Sequence, residues 1–151
     1  MDSKMRERYE LLKKKNKEHA RQCKWKNNSF YTEFLKLVSD VEMIPENQWK
    51  ELMDKLLSKQ FYLKAGHIKN MDMKNEIIIS YHELEKMVDI TEKYIIVWIN
   101  NELPPVKCSL CSVVENIDDV EAVDFSFILI SEDSEKVFES YKSGMARIVK
   151  L

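Results

Sequence analysis

Two unbroken apolar runs, Tyr94–Ile99 and Phe125–Ile130, dominate the hydrophobic pattern of this chain. Both runs are rich in β-branched and aromatic residues, and they lack the strict alternation with polar positions that is typical of a half-buried strand. The pattern therefore predicts two neighbouring strands that are covered on both faces. The 25 residues between the runs leave room for helices, so we expect a sheet with helices packed against it.

The N-terminal third has the 3.6-residue periodicity of helices. A basic helix is expected over Lys4–Lys26. Ser29 is the expected N-cap of a second helix, whose predicted inward positions are Phe30, Phe34, Leu37, Val38 and Val41. Pro45 suits the first turn of a third helix, with Trp49 and Leu52 directed inward.

The rest of the chain alternates between short strands and short helices. Strands are predicted at Glu76–Ile79, Val106–Cys108 and Ala146–Val149, and helix caps at Ser80 and Ser109. A further helix is expected to begin near Ser131, with Val137, Phe138 and Tyr141 inward. The predicted fold is α+β: N-terminal helices followed by a mixed sheet of about four or five strands with short crossover helices.

The length of 151 residues suits one domain, and only two glycines and three prolines leave little room for a linker. We therefore expect a single domain over residues 1–151, with the basic helix of residues 1–26 peripheral to it. No segment has the roughly 20 consecutive apolar residues that a membrane span needs. Because the N-terminus lacks a hydrophobic signal region and the cysteine count is odd, we expect a cytoplasmic protein with no membrane partner.

Charge is distributed unevenly along the chain. Residues 1–70 contain 16 basic and 10 acidic residues, whereas residues 71–151 contain 8 and 16, so their net charges are +6 and −8. This difference in charge between the two halves can reflect a solvated surface or a face that meets a charged partner.

Few residue patterns suggest chemistry. Cys108 and Cys111 form a Cys-x-x-Cys motif where a predicted strand meets a helix, which is the placement of a redox pair. However, no proline follows where such a fold requires one, and no second cysteine pair completes a zinc site. With two glycines, Gly66 and Gly144, the chain has no phosphate-binding loop. We therefore predict no catalytic residues, no metal and no cofactor.

The order of these segments resembles the small immunity proteins of bacterial polymorphic-toxin and contact-dependent inhibition systems. The resemblance covers residues 75–151, and its segments are Lys93–Asn100, Ser112–Val120, Val123–Ser131 and Gly144–Val149. It implies an antitoxin that binds and blocks one cognate toxin domain, often a nuclease. The basic segment Lys4–Lys26 has no counterpart in that pattern.

Acidic residues are concentrated around the second apolar run. The predicted partner-binding residues are Glu115, Asp118, Asp119, Glu121, Asp124, Glu132 and Asp133. An acidic surface would attract and occupy the basic cleft of a nuclease toxin. If both acidic segments lie at one edge of the sheet, they form a single face. The alternative function is a nucleic-acid-binding or regulatory module that uses Lys4–Lys26.

Overall fold

The computed structural model of the protein describes residues 3–58, 62–64, 67–69, 77–100 and 103–150. Its helices are α1 (Ser3–Lys24), the 3-10 helix η1 (Trp25–Asn27), α2 (Ser29–Leu37), α3 (Glu46–Ser58), α4 (Tyr81–Met87), α5 (Leu110–Glu115) and α6 (Ile117–Val123). Its strands are β1 (Glu42–Met43), β2 (Tyr62–Lys64), β3 (His67–Lys69), β4 (Ile77–Ser80), β5 (Lys93–Trp98), β6 (Val106–Ser109), β7 (Phe127–Ser131), β8 (Val137–Ser140) and β9 (Met145–Lys150). The α+β class is confirmed.

A seven-stranded sheet forms the centre of the fold, in the order β1-β6-β5-β7-β8-β9-β4, and β2 pairs with β3 in a separate hairpin. Every strand pair within the described residues is antiparallel, so the predicted mixed sheet is wrong in that respect. The sheet also has more strands than predicted, because β1 and β8 were not foreseen. Crossovers through α4 and through α5–α6 are present, since these helices connect strands that are not neighbours.

The two apolar runs pair directly, as predicted. In the β5–β7 ladder Tyr94 lies opposite Ser131 and Trp98 opposite Phe127. Side chains alternate between the two faces of the sheet. Tyr94, Ile96 and Trp98 face the larger core, whereas Val97 belongs to a smaller cluster on the other face with Leu52 of α3. Both faces of β5 are thus covered.

The larger core is built by helices on one face of the sheet. Each of these helices contributes side chains that are nearly inaccessible to solvent: Tyr31 and Phe34 of α2, Tyr81 and Leu84 of α4, Leu110 and Val113 of α5, and Val120 and Val123 of α6. Burial of apolar surface at about 25 cal/mol per Å² makes this layer the main source of stability. The sheet, this helical layer and α3 on the opposite face give three layers.

The predicted inward positions of helix α2 are confirmed in part: Phe34 and Val38 are buried, but Tyr31 is buried in place of Phe30. Its buried residues are Tyr31 and Phe34, whereas Phe30 and Leu37 are 60% and 56% exposed. The N-cap is Asn28 rather than Ser29, because the Asn28 side chain accepts a hydrogen bond from the Tyr31 amide at 3.0 Å. Because Tyr31 is buried, its hydroxyl can donate a hydrogen bond to the carbonyl oxygen of Pro104 at 2.9 Å.

The helix predicted near Ser131 is instead a tight turn followed by strand β8. Ser131 stabilises this turn, since its hydroxyl donates to Asp133 at 2.6 Å and accepts from the Lys136 amide at 2.9 Å. Ser134 adopts a positive φ of 62°, which ends any helical path. Val137 and Phe138 are buried as strand residues on opposite faces, and Tyr141 is exposed rather than inward.

Other local predictions are confirmed. The Ser80 hydroxyl accepts from the Glu83 amide at 3.2 Å at the start of α4, and Ser109 caps α5 through the Ser112 amide at 3.2 Å. Gly144 has a φ of 74° in the turn between β8 and β9, a conformation that glycine adopts without strain. None of the described helices is long and apolar enough to cross a membrane.

Candidate partner-binding surface

Helix α6 carries the densest group of predicted site residues. Val120 and Val123 anchor one side of this helix in the core, and α6 packs against α2. Asp118 and Asp119 occupy its first turn and are exposed. Carboxylates at the start of a helix interact favourably with its dipole, so these two residues also suit the helix locally.

Glu121 and Asp124 are engaged within the fold. Glu121 accepts from the Gly144 amide at 2.7 Å and from the Ser143 hydroxyl at 3.0 Å, which joins α6 to the β8–β9 turn. Asp124 is only 4% exposed and accepts from the amides of Asn100 at 2.8 Å and Ser126 at 3.0 Å. The structure therefore places both carboxylates in supporting positions, and Asp124 presents little surface to a partner.

The two acidic segments lie at opposite ends of strand β7. Asp124 precedes β7, whereas Glu132 and Asp133 follow it, and β7 runs antiparallel to β5 through five paired positions. The single acidic face that would result from both segments at one edge is therefore not formed.

The acidic residues beyond β7 also have local partners. Glu132 lies 3.4 Å from the Lys107 ammonium in an exposed ion pair. Asp133 accepts hydrogen bonds from the Ser131 hydroxyl and the Glu135 amide, and these bonds hold the pKa of its carboxyl below the usual value. Nearby, Lys136 lies 2.9 Å from Glu92. Negative charge at this end is partly neutralised by these lysines.

Glu115, the last predicted residue, ends α5 and is exposed. Its carboxylate accepts from the Cys111 thiol at 3.3 Å. This hydrogen bond raises the pKa of Cys111, and burial raises the pKa of Cys108 to about 12. Both thiols are free, and the raised pKa of each disfavours the thiolate that thiol–disulfide exchange requires.

Two exposed aromatic residues near α6 were missed as site residues. Phe125 is 52% exposed and Tyr141 is 45% exposed. Ser140 brings their backbones together, because its hydroxyl donates to the Phe125 carbonyl and accepts from the Phe127 amide, both at 3.0 Å. In the sequence Phe125 belongs to the apolar run that predicts a buried strand and Tyr141 to a predicted helix, so neither pattern indicates an exposed position.

The exposed residues Asp118, Asp119, Phe125 and Tyr141 are here called the α6 surface. Its parts are joined by the contact of Glu121 with the β8–β9 turn. Lys142, whose ammonium lies 5.7 Å from the centre of the Tyr141 ring, contributes one positive charge beside it. Exposed aromatic residues beside carboxylates can bind a surface that is both apolar and basic.

Within the described part of the chain, no group of three or more His, Cys, Asp or Glu residues is arranged to hold a metal ion. A comparison with curated proteins found no match. A family model described as CdiI immunity protein EcoliA0-like matches residues 29–149, which spans α2 to β9 and includes the α6 surface. The chain therefore belongs to a family of contact-dependent inhibition immunity proteins, the EcoliA0-like CdiI proteins.

Proposed function

We propose that the protein neutralises one cognate toxin domain by binding rather than by catalysis, and that the toxin is a nuclease with a basic cleft. The family supports an immunity role and a toxin partner. The proposal adds the nature of the toxin, cytoplasmic action and the binding surface. The net charge of −8 over residues 71–151 complements a cleft that binds phosphates.

The α6 surface is the proposed centre of the toxin interface. The observation that carries this assignment is that Asp118 and Asp119 are exposed in the first turn of α6 and that Phe125 and Tyr141 are exposed after α6 and after β8, whereas Glu121 and Asp124 are engaged in the fold. Aromatic side chains provide most of the energy at the centre of protein interfaces, and rim carboxylates mainly set association rate and specificity. Glu115, Glu132 and Asp133 are proposed to contribute only long-range attraction.

The experiment compares two variants that each remove two negative charges. Asp118→Asn with Asp119→Asn changes the α6 surface, and Glu132→Gln with Glu135→Gln changes the opposite end of β7. The partner is the toxin domain encoded beside this gene, tested for cleavage of DNA and RNA and for binding by stopped-flow mixing.

We expect the α6 variant to bind at least about tenfold more slowly at low salt and to lose much of its salt dependence. The control variant should change far less, and both should unfold within a few degrees of the parent temperature, because exposed carboxylates and their interaction with a helix dipole contribute little to stability. Unchanged binding and cell protection by the α6 variant would place the interface elsewhere. A toxin that cleaves neither nucleic acid would refute the nuclease assignment alone.

A further inference from the structure

Helix α1 lies outside the family match and displays apolar side chains to solvent. Met5, Tyr9 and Leu12 are 62%, 59% and 59% exposed. They follow the spacing i, i+4, i+7, so at 3.6 residues per turn they fall within about 60° of arc and form one stripe. Among the described elements, α1 has its main contacts with η1.

Charged residues are arranged around this stripe in a regular way. On a helical projection Arg8 and Lys15 flank it on one side, and Arg6 and Lys13 flank it on the other. Glu7 and Glu10 lie on the opposite side of the helix and line an open groove of about 740 Å³, to which Arg6, Lys13, Lys14 and Leu11 also contribute. Met5, Tyr9 and Leu12 are not part of that groove, whereas Arg6 and Lys13 lie between the groove and the stripe.

This arrangement discriminates between partners. Two α1 helices packed through their stripes would bring cations against cations on both flanks, which opposes self-association. A nucleic-acid backbone would bind the cations but would leave the apolar stripe in water. An anionic lipid surface accommodates both, because the stripe enters the headgroup region while cations on either side contact lipid phosphates.

The balance of charged and apolar residues in α1 favours a lipid surface over an apolar protein groove as the partner. Residues 3–15 contain six basic and two acidic residues. Because each cation near an anionic membrane adds to the attraction, the charges provide a large part of the binding. A helix-binding groove relies instead on large apolar anchors, and this stripe has one tyrosine and no tryptophan or phenylalanine.

We propose that α1 is an interfacial helix that binds anionic lipid surfaces through Met5, Tyr9 and Leu12 and their flanking cations. No membrane partner was predicted from the sequence because no segment can span a bilayer, but a helix that lies on the surface needs no spanning segment. The proposal is independent of the toxin interface.

The test is flotation of the full-length protein with vesicles of phosphatidylcholine alone and of phosphatidylcholine mixed equally with phosphatidylglycerol. We expect binding to the mixed vesicles only. The triple variant Met5→Ser, Tyr9→Ser, Leu12→Ser should weaken this binding at least about tenfold. The matched control is Leu11→Ser, which removes an equally exposed apolar residue from outside the stripe and should leave binding nearly unchanged.

Absence of binding to the mixed vesicles at low salt would overturn the proposal. The proposal would also be overturned if the triple variant still bound the mixed vesicles and the protein bound duplex DNA equally tightly. In that case α1 would act as a polycation without a preference for lipid. Circular dichroism of both variants confirms that the fold is intact.

Discussion

Arg147 donates a hydrogen bond to Glu139 at 2.6 Å between paired positions of β9 and β8, and the two side chains are only 9% and 5% exposed. Glu139 alternates with Phe138 along β8, so the ion pair lies on the face of the sheet that also carries Val137 and Ile128. A charge pair buried among apolar residues is costly to break, because either partner alone would remain charged and desolvated.

Glu139→Gln should therefore lower the free energy of unfolding by roughly 1–3 kcal/mol, since it replaces the charged hydrogen bond from Arg147 with a weaker one to a neutral amide. The double variant Glu139→Leu, Arg147→Met should recover most of this loss, because it removes both charges. Urea unfolding of the three proteins measures the difference. A single variant as stable as the parent would show that the pair contributes little.

Asp40 links the loop after α2 to the start of α5. Its carboxylate accepts from the Ser112 hydroxyl at 2.7 Å and from the Ser109 amide at 3.0 Å. Burial opposes the ionised form, but these hydrogen bonds outweigh it and lower the pKa of Asp40. A carboxyl with a lowered folded-state pKa stabilises the fold above its unfolded-state pKa, and this contribution is lost as pH falls through the folded-state value.

Asp40→Asn should accordingly cost about 1 kcal/mol at neutral pH, the scale of a lost helix-capping interaction. The difference from the parent protein should shrink as the pH is lowered into the acid range, because the parent then protonates Asp40. Thermal unfolding at a series of pH values follows both proteins. A difference that stays constant with pH would contradict an electrostatic role.

The exposed aromatic pair of the α6 surface gives a prediction about affinity. Phe125→Ala and Tyr141→Ala should each weaken binding to the cognate toxin domain by about tenfold or more, mainly through faster dissociation. Phe30→Ala and Leu37→Ala, at exposed positions of α2, are the matched controls. If the α2 variants lose affinity and the aromatic variants do not, the interface lies on α2.

Removal of α1 should have a small effect on folding. Deleting residues 1–24 retains Trp25, whose ring packs edge-on against Tyr31 with centroids 5.8 Å apart. A loss of about 1 kcal/mol, or a few degrees in the melting temperature, is expected because the described side chains of α1 are exposed. Failure of the truncated protein to fold would show that α1 is integral to the domain.

The two described cysteines should differ in their rate of alkylation. Cys108 is fully buried and should react only on unfolding, whereas the partly exposed Cys111 should react slowly in the native protein because its thiol is held by Glu115. Glu115→Gln removes the nearest negative charge and should speed alkylation of Cys111. Rapid native alkylation of Cys108 would contradict its burial.

Local preferences were sufficient to predict much of this fold from the sequence. Apolar runs that suit only a doubly covered strand identified β5 and β7, and serine caps identified the starts of α4 and α5. Each of these signals depends on a few neighbouring residues, and the packing of the core preserves the local structure that they predict. The excess of negative charge in the C-terminal half was equally visible from the sequence.

Tertiary structure decided which of several compatible faces points inward and which carboxylates stay free. The periodicity of α2 suits a core face that includes Phe30 beside Phe34 as well as one that includes Tyr31 beside Phe34, and the hydrogen bond of Tyr31 to the distant carbonyl of Pro104 favours the second. Val137 and Phe138 fit a helix or a strand, and the hydrogen bonds of Ser131 with Asp133 and Lys136 select the strand. Asp118 and Asp124 look alike in the sequence, but only Asp124 accepts a hydrogen bond from the Asn100 amide. The pairing of β5 with β7 brings the end of β5 close to the end of α6 and makes this bond possible. Such contacts join residues far apart in the chain, so short-range patterns could not predict them.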